Sequence, residues 1–459
     1  MPSTLVRGGR VVTAESEYDA DVLAVDGRIA QIGTDLDHIE ADVVVEADGQ
    51  WVLPGGVDPH THMDMPVGDT STCDDYTSGT IAAVHGGTTS IVDFCIQQHG
   101  QAPLDALATW KRKLAAAAPV CDVGFHLAVT DLSQPAWLAD LARLPEHGVT
   151  SLKLFMAYKG TLGVDDGTIV RTMRIAAANG SLVLVHAENG DAIAVLVADA
   201  LAAGHVEPVW HGRTRPPITE AEATARAISL AELTGCRLYV VHVSCAEALE
   251  PIVRAQAAGL PVHAETCVQY LLLDETALEK PGFEGAKAVF TPPPRAREQQ
   301  EYLWRALQTR ALEVVSTDHC PFRYADQKAL GRADFTKIPN GAPGIEHRLV
   351  LLHEFGVRTG RLSRARWVEL CCTAPARHFG LAPRKGTIAI GSDADLVVFD
   401  PERVQTISAS THHSRVDYSL YEGTTVRGAP SAVLVRGSVV VQDGELTAEP
   451  PRGVFLHRG

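Results

Sequence analysis

Apolar and polar positions follow two different rhythms along this chain. Near both ends the rhythm is short and strand-like. Val6-Arg7-Gly8-Gly9-Arg10-Val11-Val12 and Val435-Arg436-Gly437-Ser438-Val439-Val440-Val441 are both rich in β-branched residues and broken by Gly. Val22 to Ile32 carries Asp26-Gly27, a dipeptide suited to a tight hairpin, and Gly386 to Phe399 reads as strand, Gly391 turn, strand. The likeness of the two ends predicts one β-sandwich built from residues 1–54 and 384–459, the second part including a C-terminal extension. Two unrelated hairpins are the alternative, because such turns are common.

Residues 55–383 keep a longer beat. Short apolar runs at Gly56 to His62, Thr88 to Phe94, Val123 to Val129, Ser151 to Met156, Leu182 to His186, Leu238 to Val243, Pro261 to Ala264 and Leu312 to Thr317 predict eight strands. Between them lie Ala-rich segments with helical spacing, such as Leu104 to Ala118, Gly167 to Ala178, Ala221 to Leu233 and Ala246 to Ala258. Eight such repeats predict a mixed α/β fold whose core is a parallel (β/α)8 barrel, although a doubly wound sheet shares the periodicity.

The polar residues decide between them. In a parallel barrel the C-terminal ends of the strands meet at one rim, so a polar residue closing an apolar run marks that rim. The first run closes with Asp58-Pro59-His60-Thr61-His62, the fourth holds Lys153, the fifth ends at His186, the sixth at His242 and the eighth at Asp318. His60 and His62, two residues apart on a strand, share a face. Taken singly, His186 or His242 reads as a hydrogen-bonded core histidine. Lys153 is harder to absorb, because an unpaired ammonium within Leu152-Lys153-Leu154-Phe155-Met156 costs free energy or loses its proton. Imidazole, amine and carboxylate from five strands aimed at one rim point to bound ions.

An ammonium has no lone pair for a cation. Reaction with carbon dioxide converts the amine to a carbamate, whose two oxygens bridge metals about 3.5–4 Å apart. Carboxylated Lys153, four neutral imidazoles and Asp318 suit two divalent ions, zinc first, with manganese or cobalt as substitutes. His85, His99, His126, His205 and His263 are read as structural or surface residues, and His319 as an outer partner of the ligand set.

Composition narrows the partners. The 459 residues are 46% hydrophobic and carry a formal net charge of −16, which argues against a binder of nucleic acid or of an anionic membrane, since both need a basic face. Neither an export leader nor a run of about 18 uncharged apolar residues is legible, so a soluble, cytoplasmic protein is expected. Nine cysteines without a Cys-x-x-Cys pair predict buried free thiols.

These motifs carry a resemblance that spans essentially the whole chain. Gly55-Gly56-Val57-Asp58-Pro59-His60-Thr61-His62, Lys153-Leu154-Phe155-Met156-Ala157-Tyr158-Lys159, Val185-His186-Ala187-Glu188-Asn189, Val241-His242-Val243-Ser244 and Ser316-Thr317-Asp318-His319-Cys320-Pro321-Phe322 are similar to successive motifs of the dihydropyrimidinase and D-hydantoinase group of cyclic amidohydrolases. So are Ile338-Pro339-Asn340-Gly341-Ala342-Pro343-Gly344 and Val416-Asp417-Tyr418-Ser419-Leu420-Tyr421-Glu422-Gly423. The chain departs from the pattern at Thr291, where the family often has Ser, and at Val268, where it often has Pro.

The resemblance implies that His60 and His62 hold one ion with Asp318, that His186 and His242 hold the other, and that Lys153 bridges them. It implies ring opening of 5,6-dihydropyrimidines or 5-substituted hydantoins to N-carbamoyl amino acids, by a water that the metal pair activates. Asp318 would move the proton, Tyr158 would donate to the developing oxyanion, and the backbone at Thr291 and Asn340 would grip the ring. A homotetramer or dimer is implied as well. Three other readings are an allantoinase or dihydroorotase, a non-catalytic structural homologue, and an exported receptor. Tyr158 and the Met63-Asp64-Met65 that follows His62, where a dihydroorotase has Arg, speak against the first; a full ligand set speaks against the second.

Overall fold

The computed structural model describes residues 2–36 and 38–459. Eight strands run parallel in chain order: β1 (Gly56–Thr61), β2 (Thr88–Ile96), β3 (Asp122–Ala128), β4 (Ser151–Phe155), β5 (Leu182–His186), β6 (Arg237–Val240), β7 (Val262–Cys267) and β8 (Val314–Ser316). Helices cover the outer face of such a sheet, so its strands must be apolar throughout rather than alternating. Every residue of β2 through β5 is buried.

The sheet closes on itself between β8 and β1. The His62 amide donates to the His319 carbonyl at 2.8 Å, and Thr61 and His319 form a parallel bridge. Arg348, wholly buried, donates to the carbonyls of Val57 at 2.9 Å and Val315 at 3.0 Å, so one guanidinium stitches the first strand to the last. The Ala-rich segments form helices Pro103–Ala116, Asp166–Asn179, Pro217–Thr234 and Ala246–Ala257. The second shows why its ends fall where they do. The Asp165 side chain accepts from the Thr168 amide at 2.7 Å at its start, and Gly180 takes a left-handed φ of 77° at its end.

Both termini build the sandwich, as the pattern predicts. One sheet has the order Arg28–Gly33, Asp21–Val25, Ser3–Arg7, Val43–Glu46. The other has seven strands, in which Leu396–Thr406 pairs antiparallel with Trp51–Pro54 on one side and with Thr425–Val435 on the other. Val6, Val22, Val52, Leu396 and Leu434 share the core between the sheets.

Two local readings change. The runs at Val6 to Val12 and Val435 to Val441 look alike but are used differently. Arg436 and Gly437, at φ 45° and 72°, turn a hairpin, whereas Gly8 and Gly9 carry the chain from one sheet to the other. Of the hairpin read over Gly386 to Phe399, only the second strand exists, from Leu396; the half before Gly391 forms no strand, and one isolated bridge, Asp393 to Arg28, follows the turn. Side chains explain this. Buried Lys385 donates to Asp395 and Asp122 at 2.7 Å each and lies 3.0 Å from Asp393, so the chain entering this segment is anchored by buried ion pairs and not by a strand partner. Asp122 opens β3, so the same ammonium joins sandwich to barrel. All nine cysteines are buried and free.

Candidate metal centre and substrate cavity

The rim of the barrel gathers the residues that the strand ends predict. His60 and His62 lie on and just after β1, and their Nε2 atoms stand 3.1 and 3.0 Å from Asp318 Oδ1 beyond the end of β8. These three side chains bring donor atoms within 4.8 Å of one another, as a cation site requires. His242 Nε2 faces His186 Nδ1 at 2.9 Å, and the His60 and His242 rings stack with centroids 5.4 Å apart. Among the described residues no other imidazole, thiol or carboxylate joins His186 and His242 in a group of three.

Lys153 occupies the middle. It has no exposed surface, its ammonium lies 5.2 Å from the ring centroids of both Phe94 and Phe155, and Nζ has no hydrogen-bond partner. Burial drives its pKa down to about 7 against the opposing pull of Asp318 and Glu265. His62 Nδ1 and His242 Nδ1 are also buried without partners.

The electrostatics favour positive charge at one point and neutral ligands around it. Burial acts to lower His60, but Asp318 and Glu265 outweigh it and lift His60 to about 9. Burial lowers His62 to about 4 and His242 well below the usual imidazole range, so both keep lone pairs at neutral pH. Burial works to raise Asp318, yet His60 and His62 hold it well below the usual carboxylate range. A buried carboxylate, neutral imidazoles facing it or one another through Nε2, and an amine with no partner fit a pair of divalent cations.

Backbone strain marks the same rim. Tyr158, His242 and Asp318 take φ values of 60°, 42° and 48°, the left-handed region that side chains with a Cβ avoid. They follow β4, β6 and β8. At about 1–3 kcal/mol each, such conformations persist where the surroundings over-determine them, and they cluster at functional sites.

A cavity of about 250 Å³ is lined by Tyr158, Thr291 and Asn340, with Ile193, Val197 and Phe335 as apolar wall. No proposed ligand lines it, but two of its wall residues touch one, the Tyr158 ring lying 5.2 Å from that of His186 and Glu188 2.8 Å from His186 Nε2. Burial pushes the Tyr158 phenol up, so it stays protonated and able to donate. Lys328, also buried, donates to the carbonyls of Val289 and Pro339 at 2.7 Å and of Gly341 at 2.8 Å, which fixes the loop on both sides of Asn340. Gly341 has φ 154°, and a Cβ there would meet the Cys320 carbonyl at 2.2 Å, so only Gly fits beside Asn340.

Three contributors escape the reading of strand ends. Glu265 Oε1 lies 2.6 Å from His60 Nδ1, and Tyr239 donates to Glu265 Oε2 at 3.0 Å, so this carboxylate orients His60 from behind. The rule that finds His186 would find Glu265 too, but the seventh run reads as ending one residue earlier, at Ala264. Glu188 Oε2 lies 2.8 Å from His186 Nε2, but it stands two residues beyond the end of β5, where strand alternation no longer sets the face. Arg215 reaches the cavity wall from an irregular segment and gives no such signal. The His319 carbonyl accepts from the His62 amide, but its ring pairs elsewhere: Nδ1 accepts from the Gly344 amide at 3.1 Å and Nε2 lies 3.0 Å from Asp74 Oδ2, making it a strut of the barrel seam. His126 is structural, 2.6 Å from Ser151 Oγ and 3.0 Å from the Pro59 carbonyl.

Comparison with known proteins agrees with this geometry. A family model described as the amidohydrolase family matches residues 51–440. The chain is 50% identical over 455 residues to a D-hydantoinase of Geobacillus stearothermophilus, covering 99% of this chain and 96% of that one. It is 51% identical over 459 residues to a D-hydantoinase of Streptomyces coelicolor, covering 99% and 98%. Among solved structures, a dihydropyrimidinase from Brevibacillus agri superimposes with a TM-score of 0.97 at 49% identity, covering 99% of this chain and 98% of that one.

Proposed function

Because the chain belongs to the amidohydrolase family, we infer that it opens small cyclic amides by hydrolysis, converting 5-substituted hydantoins and 5,6-dihydropyrimidines to N-carbamoyl amino acids. The observation that carries this reading is the rim itself: two imidazole pairs and a carboxylate with a buried, unpartnered lysine, beside a phenol donor that lines a cavity.

His60, His62 and Asp318 would hold one divalent ion and His186 and His242 a second, with Lys153 carboxylated and shared. Zinc suits that donor set, and manganese or cobalt would substitute. The need for a third donor beside His186 and His242 supports a carbamate at Lys153. When bound, the pair lowers the pKa of water towards neutrality and polarises a carbonyl.

The chain's own groups do the rest. The backbone at Thr291 and Asn340 holds the ring with its scissile carbonyl towards the rim. Tyr158 donates to the oxygen as negative charge develops there, an interaction stronger in the transition state than in the substrate. Asp318, anionic at the outset, accepts the proton of the attacking water and returns it to the ring nitrogen as the C–N bond breaks. The apolar wall of Ile193, Val197 and Phe335 receives uncharged parts of the substrate.

A turnover panel of hydantoin, both enantiomers of a 5-aryl hydantoin, dihydrouracil, allantoin and dihydroorotate tests this. Hydantoin and dihydrouracil should turn over. The D enantiomer should be favoured, since both relatives are named D-hydantoinase. Turnover of allantoin or dihydroorotate alone would overturn the assignment. A homotetramer or dimer in a reducing cytoplasm belongs to the same proposal, supported by apolar surface at Val195, Leu196 and Leu201 and by nine free thiols. Light scattering measures the first.

A further inference from the structure

At the end of the barrel opposite the rim, where β7 and β8 begin, three more ligand-type side chains meet. His263 is the second residue of β7, Glu313 immediately precedes β8, and His378 ends the helix Ala374–His378 that follows the barrel. His263 Nδ1 lies 2.7 Å from Glu313 Oε2, His378 Nε2 lies 3.5 Å from Glu313 Oε1, and the imidazole centroids are 4.4 Å apart. One donor atom from each lies within 4.8 Å of the other two.

The burial is graded in a way that admits an ion. His378 is only 8% exposed and its Nε2 has no hydrogen-bond partner, whereas the side chains of His263 and Glu313 keep 24% and 21% of their exposure. The cluster therefore has a buried floor and an open side. Burial keeps His378 low, with a free lone pair at neutral pH; burial would raise Glu313, but His263 and His378 bring it to about 2.

We propose that His263, Glu313 and His378 form a metal site separate from the rim, taking a borderline divalent cation such as zinc or nickel. Two imidazoles and one carboxylate, with a remaining position open to water, are a donor set that such ions favour over the all-oxygen shells preferred by calcium or magnesium. The ion would replace the direct contact between His263 Nδ1 and Glu313 Oε2. It would clip β7, β8 and the helix after the barrel together, at the end of the barrel remote from the cavity.

The test compares the loaded enzyme with its His263→Gln and His378→Gln variants after dialysis against zinc at neutral pH. The parent should retain one more zinc per chain than either variant, with turnover unchanged. The readout is a difference of one equivalent, so it holds whatever the rim binds. Copper(II), which such donors hold more tightly than zinc, should exchange into this site of the zinc-loaded parent and show electron-spin coupling to two imidazole nitrogens, reduced to one in His263→Gln. Equal metal content in parent and variants, or a copper signal that His263→Gln leaves unaltered, would overturn the proposal. Should His378→Gln fail to fold, the partly exposed His263 position decides alone.

Discussion

Lys153 gives the sharpest prediction. Burial against Phe94 and Phe155 takes its pKa from 10.5 to about 7. That change penalises the protonated form by about 5 kcal/mol. The unfolded chain binds this proton more tightly than the folded one, so the cost is full below about pH 7 and fades as pH rises towards 10.5. Near pH 8 roughly nine-tenths of the buried amine is neutral, against under one in a hundred for a free lysine, and near pH 6 roughly one-tenth. Only the neutral amine attacks carbon dioxide. If the enzyme is stripped of metal and restored with zinc and bicarbonate at fixed dissolved carbon dioxide, activity should return about tenfold faster near pH 8 than near pH 6. Isotope-labelled bicarbonate should give a carbamate resonance. Lys153→Ala should not recover, except in part with added short carboxylic acids. Recovery indifferent to bicarbonate and pH, or a Lys153→Ala enzyme with normal metal and turnover, would refute the reasoning.

Other expectations concern single groups around that lysine and beyond it. Tyr158→Phe should lower kcat by about 10- to 1,000-fold with KM little changed, measured by steady-state kinetics on a hydantoin. Glu265→Gln should weaken metal retention by about 10- to 100-fold in competition with a chelator, since Glu265 orients His60. Chelation should abolish hydrolysis, and zinc, manganese or cobalt should restore it. Lys385→Met should cost about 3–5 kcal/mol in urea unfolding, because it strands buried carboxylates, while leaving kcat per folded molecule unaltered.

How much the sequence reveals depends on where the information is stored. The barrel strands are legible because a sheet covered on both faces demands unbroken apolar runs, and the eight runs lie where the eight strands form. The histidines and Asp318 of the rim are legible because they stand at or just beyond the ends of such runs, and Lys153 because a cation inside one has no apolar role. Glu265 is missed by one residue of strand length, which is within the usual error of an element boundary. The left-handed backbone at Tyr158, His242 and Asp318 has no local signature: Tyr in particular does not favour that conformation, and the surrounding barrel imposes it. The missing strand before Gly391 fails for a different reason. Its fate is decided by Lys385 and by Asp122, which is remote in sequence, and no periodicity encodes that pairing. His263 likewise looks ordinary in sequence until Glu313 and His378 are brought beside it.

The pairing of Leu396 with Pro54 sets a timetable for the newborn chain. Ribosomes add about 5–20 residues per second, so the roughly 340 residues between those partners take about 17 to 70 s to appear. During that interval the first strands have emerged without the neighbours that cover them, while the successive β/α repeats can assemble as they are translated. The strand Trp51–Pro54 therefore waits through the synthesis of the whole barrel before Leu396–Thr406 covers that edge.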